Sequence, residues 1–238
     1  MTPRTFANET IVRLADVDGD GKLRLSALGR YLQNVAHDDM EDSGLTGAGT
    51  WVLRRVEIDV ATVARFDEHV LLETTTVGVG PRWAERITTL SGAKGARVDA
   101  RALWVFVDGL TGGPKPLPDV FHERFPVAED KRRVSIKLRH PGPPPDVSSR
   151  PWVLRASDFD VMGHMNNAAY WEPVDDVLST LGRPPVRRAE LEYRAAIAPA
   201  DDVAVAVQAG DGERPLGVWL AAGGDLRASA QVWCGATR

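Results

Sequence analysis

The chain has 238 residues, 43% of them hydrophobic and 26% charged, with a net charge of −4. That composition is ordinary for a globular protein long enough to bury a sizeable core, and it offers no excess of Lys or Arg for general nucleic-acid binding. A lone Cys234 excludes an internal disulfide framework and a thiolate metal cluster; no signal-peptide pattern opens the chain and no apolar run reaches the length of a membrane span, so the expectation is a cytoplasmic protein without a membrane span.

Taken in order, Thr10–Leu14 reads as a strand and leads into Asp16-Val17-Asp18-Gly19-Asp20-Gly21. These residues resemble the start of a calcium loop, but position nine is Arg24 and position twelve is Ala27, so the bidentate acid such a loop needs is missing. Apolar residues at Leu25, Leu28, Leu32, Val35, Ala36 and Met40 then predict a helix over Ser26–Leu45, capped by Ser26 and ended by Gly44. Alternation at Val56, Ile58 and Val60 predicts a strand over Trp51–Val60, and further strands follow at Val70–Val79, Trp83–Ser91 and Val98–Val107. A strand, a long helix and several antiparallel-looking strands make the fold class α+β, with a sheet wrapping a helix. Residues 126–150 carry a charge run, Glu129 to Arg133, and the tract Pro141-Gly142-Pro143-Pro144-Pro145, which lacks ladder donors; they read as a Pro-rich linker between a first domain, 1–125, and a second, 151–238.

The second half repeats the first. Arg13-x-x-Asp16-x-Asp18-x-x-Gly21 recurs as Arg155-x-x-Asp158-x-Asp160-x-x-Gly163, Arg54–Asp59 recurs as Arg187–Glu192, and Ala100–Val105 recurs as Ala228–Trp233. The repeat makes the Asp-x-Asp turn a shared strand-to-helix connection, which disposes of calcium. It also isolates what differs: His164 stands opposite Lys22, and Asn166-Asn167 opposite Arg24-Leu25. Only the second copy keeps a histidine and amides, as expected if duplication was followed by specialisation. Its helix is predicted over Asn167–Leu181.

Asp160 and His164 flank a glycine-containing turn, close enough to face one pocket. A carboxylate there can act as general base on water or attack a thioester directly, and a histidine can move a proton near neutral pH. Backbone donors at Gly163, His164 or Asn167 could polarise a carbonyl, and Asn166 and Asn167 add ligand-binding or capping amides. Asp158, like its counterpart Asp16, reads as a turn acid, and Tyr170 and Trp171 as core or pocket wall. No histidine pair suggests a metal, and neither metal nor cofactor is expected.

With these residues the chain resembles the acyl-acyl-carrier-protein thioesterases of the plant FatA/FatB type and their bacterial relatives. The resemblance is carried by Arg13-Leu14-x-Asp16, Leu28-x-x-Tyr31-Leu32-Gln33-x-Val35, Trp51-Val52-Leu53-x-Arg55, Ala102-Leu103-Trp104-Val105, Leu117-Pro118-Asp119, Asp158-x-Asp160-x-x-Gly163-His164-x-Asn166-Asn167-x-x-Tyr170 and Leu191-Glu192-Tyr193-Arg194. It implies two fused hotdog domains, each a long helix wrapped by an antiparallel sheet, and hydrolysis of the thioester between a fatty acyl chain and acyl carrier protein. By position, Asp160 and His164 match the family's catalytic acid and histidine. The family's asparagine two residues after that acid is Met162 here, and its later acid and, in plants, cysteine are Ala196 and Ile197, so neither a Cys-His-Asn scheme nor a glutamate-activated water at that point is available.

The resemblance also implies an acyl tunnel, with Leu28, Leu32, Val35 and Trp51 as candidate lining and Gly163, Asn166, Asn167 and Tyr170 as substrate contacts. The carrier is acidic, so Lys131, Arg132, Arg133, Lys137 and Arg139, with Arg187-Arg188 second, are the expected docking cations. An acyl-CoA thioesterase, a hotdog dehydratase or hydratase and a non-catalytic acyl-binding protein are the alternatives, and a homodimer is allowed.

Overall fold

The computed structural model describes residues 3–45, 49–127, 134–211 and 214–235. Ten strands form one antiparallel sheet: β1 (Thr5–Ile11), β2 (Thr50–Thr62), β3 (His69–Val79), β4 (Trp83–Gly92), β5 (Arg97–Val107), β6 (Ser149–Trp152), β7 (Val186–Tyr193), β8 (Val203–Gln208), β9 (Leu216–Ala222) and β10 (Asp225–Cys234). The helices are α1 (Leu25–Asp42), α2 (Asp119–Arg124) and α3 (Glu172–Thr180). The strand order is β1-β3-β4-β5-β2-β7-β10-β9-β8-β6. Each half contributes five strands, and the second half is the first read outward from the centre. This is the double hotdog arrangement.

The central β2–β7 pair is built from the very segments that repeat in sequence. Glu57 lies directly opposite Glu190, its own counterpart in the repeat, so a pseudo-twofold axis passes between them. Two like charges facing each other across a ladder are destabilising unless countered. Here Arg55 lies 2.9 Å and Arg139 2.8 Å from Glu57, while Arg188 reaches Glu190 at 2.7 Å and Glu57 at 3.4 Å. A hydrogen bond from the His140 ring, aided by Arg188, holds the Glu190 carboxyl down at about 2 against the opposing effect of burial.

The helices share the other face. Leu25, Leu28, Tyr31, Leu32 and Val35 of α1 are buried in one cluster with Trp171, Val174, Val177 and Leu178 and with Ile58, Ala189 and Leu191 of the central strands. The core therefore runs unbroken between the halves.

Residues 134–148 of the Pro-rich segment cross the sheet as a strap. Backbone N–H groups of Arg139 and His140 donate to the two oxygens of Glu192 at 2.6 and 3.0 Å, and Arg55 donates to the carbonyls of Ser135 and Lys137. Trp219 donates its indole N–H to the Pro141 carbonyl at 2.9 Å.

Three sequence expectations need correction. The first strand is Thr5–Ile11 rather than Thr10–Leu14; Leu14 begins a 3₁₀ turn and is exposed. That strand lies at the sheet edge and is mostly wet, so it lacks the alternation that betrays a strand. Ser26 does not cap α1. It lies buried within it, and the cap comes from the far copy: the Asp175 carboxylate accepts the Leu25 and Ser26 N–H groups at 3.0 Å each. The second helix does not run unbroken from Asn167. A 3₁₀ turn at Ala169–Trp171 precedes α3, whose first turn holds Pro173, a residue that suits a helix start because it has no N–H to offer. Gly44, with φ 75°, ends α1 as expected.

Candidate active site

Both copies of the Asp-x-Asp turn are built by the same hydrogen bonds. In each, the first acid accepts the N–H of the preceding arginine: Arg13 to Asp16 and Arg155 to Asp158, both at 2.9 Å. In each, a glycine in the left-handed region closes the tip, Gly21 at φ 72° and Gly163 at φ 74°, and donates to the second acid's carbonyl at 3.0 Å. Leu23 donates to the Ala64 carbonyl and Met165 to the Ile197 carbonyl, both at 2.9 Å. Asp16 and Asp158 are buried and fully engaged, which makes them scaffold.

The copies diverge at the second acid. Asp18 Oδ1 accepts the N–H groups of both Asp20 and Lys22, at 2.9 and 3.0 Å. Asp160 Oδ1 accepts only the Met162 N–H, at 2.9 Å, and its Oδ2 accepts the Asn166 side-chain amide at 3.2 Å. Asn166 in turn accepts the Ala168 N–H at 2.9 Å, which fixes the orientation of its amide. The His164 N–H, counterpart of the Lys22 N–H, has no partner among the described residues.

A second pair of contacts diverges the same way. In the first copy the Leu25 N–H is held by Asp175. In the second, the equivalent helix position is Gln33 and the equivalent turn residue is Asn167; here the contact is side chain to side chain, Asn167 Nδ2 to Gln33 Oε1 at 3.3 Å. The Asn167 N–H is left unspent among the described residues. Two backbone donors tied up in the first copy are thus free beside Asp160 in the second, the arrangement a developing oxyanion needs.

The other expected site residues are placed as follows. The His164 side chain is exposed and makes no hydrogen bond to Asp160; only their backbones meet, Asp160 N–H to the His164 carbonyl at 3.1 Å. Gly163 spends its N–H on the turn and is not a free donor. Tyr170 is buried, its hydroxyl accepting the Ile197 N–H at 3.0 Å, its ring 5.2 Å from Tyr193 and its ionisation pushed up by burial to about 12. Tyr193, which the sequence reading did not single out for the site, donates to the Asn167 carbonyl at 2.9 Å and holds that residue in place. Ile197 is wholly buried, so hydrocarbon occupies the place of the plant thiol.

A slot of about 20 Å³ runs from Asn167 and Trp171 between α1 and the sheet, past Leu32, Gln33 and Ala36. Of the four expected lining residues only Leu32 borders it. Leu28 faces a different cleft, Val35 is core, and Trp51 packs with Phe106 and Phe121, at 5.1 and 5.2 Å, in a separate cluster. A space of that size holds about one water molecule.

Lys131, Arg132 and Arg133 of the expected docking cluster lie outside the described residues. Arg139 is paired with Glu57, and Arg188 with Glu57, Asp59 and Glu190, so their charges are engaged at the strap. Among the described residues no helix is long and apolar enough to cross a membrane.

Residues 3–125 match the acyl-ACP thioesterase N-terminal domain family and residues 145–222 the acyl-ACP thioesterase C-terminal domain family. An uncharacterized protein of Mycobacterium tuberculosis is 28% identical over 219 residues, covering 90% of this chain and 86% of its own. Among solved structures, an acyl-ACP thioesterase from Bacteroides thetaiotaomicron superposes with a TM-score of 0.82 at 21% identity over 97% of this chain and 98% of that one. A 12:0-ACP thioesterase from Umbellularia californica superposes with a TM-score of 0.79 at 18% identity over 96% of each. At such identities the structural likeness speaks to the fold.

Proposed function

The chain belongs to the acyl-ACP thioesterase family and is a thioester hydrolase, and from that footing we propose that it releases fatty acid from acyl-acyl carrier protein at Asp160. The observation that carries this reading is the difference between the two turns: at Asp160 the carboxylate is oriented by Met162 N–H and Asn166 while the His164 and Asn167 N–H groups are unspent. In the reading, Asp160 takes a proton from water and the resulting hydroxide adds to the thioester carbonyl. The Asn167 or His164 N–H receives the oxyanion. As the C–S bond breaks, a protonated His164 ring delivers its proton to the departing thiolate; the protons on Asp160 and on the product acid then pass to His164 and to water, leaving a free carboxylate, a free thiol and both side chains restored. Direct attack by Asp160 through an acyl anhydride yields the same products after hydrolysis.

The family's amide after the acid is not needed for this. The Met162 backbone N–H and the Asn166 amide already hold both carboxylate oxygens, so the Met162 side chain is spare.

The test is thiol release from purified protein across acyl-carrier-protein and acyl-CoA thioesters of graded length. Asp160→Asn is expected to lower kcat/KM by about 10²–10⁴, the usual contribution of a positioned general base. A loss under tenfold would remove Asp160 from the chemistry, and faster turnover of the CoA series would reassign the substrate class. A dehydratase or hydratase would liberate no thiol.

A further inference from the structure

A second and larger cavity lies on the other side of the pseudo-twofold axis. It is an open cleft of about 880 Å³ between the first-copy turn and α3, within the size range of small-molecule sites. It is the mate of the candidate site. Its Leu25 and Val60 stand where Asn167 and Tyr193 stand opposite, and Asp175 reaches into it as Gln33 reaches toward Asn167.

Its chemistry has nevertheless been changed. Lys22 and Arg24 replace the histidine and the asparagine, and the Lys22 N–H, whose counterpart is unspent beside Asp160, is given to Asp18 Oδ1. The floor is hydrocarbon: Leu23, Leu28, Val98 and Leu178 are buried beneath it.

Five cations line the cleft, Lys22, Arg24, Arg155, Arg183 and Arg187, against four carboxylates, Asp18, Glu172, Asp175 and Asp176, and Asp176 is paired outside it with Arg150 at 2.6 Å. The ion pairs of the cations are long or absent: Arg187 is exposed and has no partner among the described residues, Lys22 and Arg183 meet Asp20 at 3.5 and 3.7 Å, and Arg24, which also donates to the Ala15 carbonyl, meets Glu172 at 3.9 Å. Three lining residues also carry buried polar atoms without a partner: Arg24 Nε, Arg183 Nε and Trp152 Nε1. All three are donors, and buried donors without acceptors are uncommon because each one costs free energy.

We propose that this cleft is a non-catalytic binding site for an aliphatic carboxylate, its tail on the Leu23–Leu28–Val98–Leu178 floor and its head among Lys22, Arg24, Arg183 and Arg187. An unbranched tail suits the continuous apolar floor, and a single anionic head matches the excess of cations around it. The site holds its ligand without turning it over, and it stands whether or not Asp160 hydrolyses thioesters.

The experiment is calorimetric titration of the full chain with dodecanoate and with dodecanol, beside photolabelling with a diazirine-bearing dodecanoate. The expected result is saturable dodecanoate binding, at least tenfold weaker for dodecanol, with label on peptides spanning 17–28 or 178–187. Arg187→Glu, at an exposed side chain without a partner among the described residues, is expected to weaken dodecanoate at least tenfold without changing the melting temperature. Absence of saturable binding, equal affinity for dodecanol, or label confined to 160–171 would overturn the proposal.

Discussion

Replacing Glu192 with Gln tests how firmly the strap is bound to the sheet. The side chain is wholly buried, and its two oxygens each accept one strap N–H, from Arg139 at 2.6 Å and from His140 at 3.0 Å. Glutamine has nearly the same shape, so no cavity forms and only the hydrogen bonding changes. One oxygen becomes an NH₂ group that faces an N–H, and that backbone donor loses its acceptor without access to water. The surviving contact falls from charge-assisted to neutral, roughly half its former strength. Losing one hydrogen bond to a charged group costs about 1.5–3 kcal/mol, and weakening the other adds about 1 kcal/mol, so the total is about 2.5–4 kcal/mol. Urea unfolding should register this as a lower midpoint at unchanged slope, and thermal unfolding as a fall of about 2–4 °C for each kcal/mol. A loss below about 0.5 kcal/mol, smaller than one neutral hydrogen bond, would refute the idea that the strap is clamped at Glu192.

Two further outcomes follow from the geometry. The Glu190 carboxyl is held near 2 when folded against an ordinary 4.5, so its stabilisation is complete above about pH 4.5 and is lost as pH falls toward 2; Glu190→Gln should flatten the acid limb of the stability curve in that window, and an unchanged limb would count against the His140 contact. Gly29→Ala pits helix propensity against packing: a gain of about 1 kcal/mol is opposed by a Cβ placed 2.9 Å from the ring of Trp171, which is itself buried, so net destabilisation is expected in a thermal melt and a raised melting temperature would refute the close approach.

The elements with strong periodicity were legible from residues alone. Three strands expected at Val70–Val79, Trp83–Ser91 and Val98–Val107 begin and end within a residue of β3, β4 and β5, because each sets alternate side chains into the core. The repeat was legible too, and it pointed to the two strands that meet at the centre. What stayed hidden depends on partners far away in sequence. Asp175 caps a helix about 150 residues upstream, and Glu192 receives a strap 50 residues before it; neither acid differs locally from any surface carboxylate. At the site, His164, Asn166 and Asn167 stand out by their departure from the first copy, whereas Asp160 matches Asp18. Backbone donors at Gly163, His164 and Asn167 were expected alike; that the turn spends only the Gly163 N–H was not legible, since a donor's freedom depends on what its neighbours accept. Tyr170, read as core or pocket wall, is buried, while Trp51, expected as tunnel lining, packs with Phe106 and Phe121, because an aromatic residue reads alike whether it lines a cavity or backs it.

The β2–β7 ladder has a kinetic consequence. Where two such halves are separate molecules, their meeting depends on concentration, and dilution pulls the pair apart. Here residues 108–148 connect the halves, so each meets the other at a fixed effective concentration set by the tether, and the strap shortens that tether further by lying along the seam. Opening the seam is therefore a unimolecular event whose equilibrium is independent of protein concentration, and the sheet should remain whole at copy numbers that would leave a two-chain assembly dissociated.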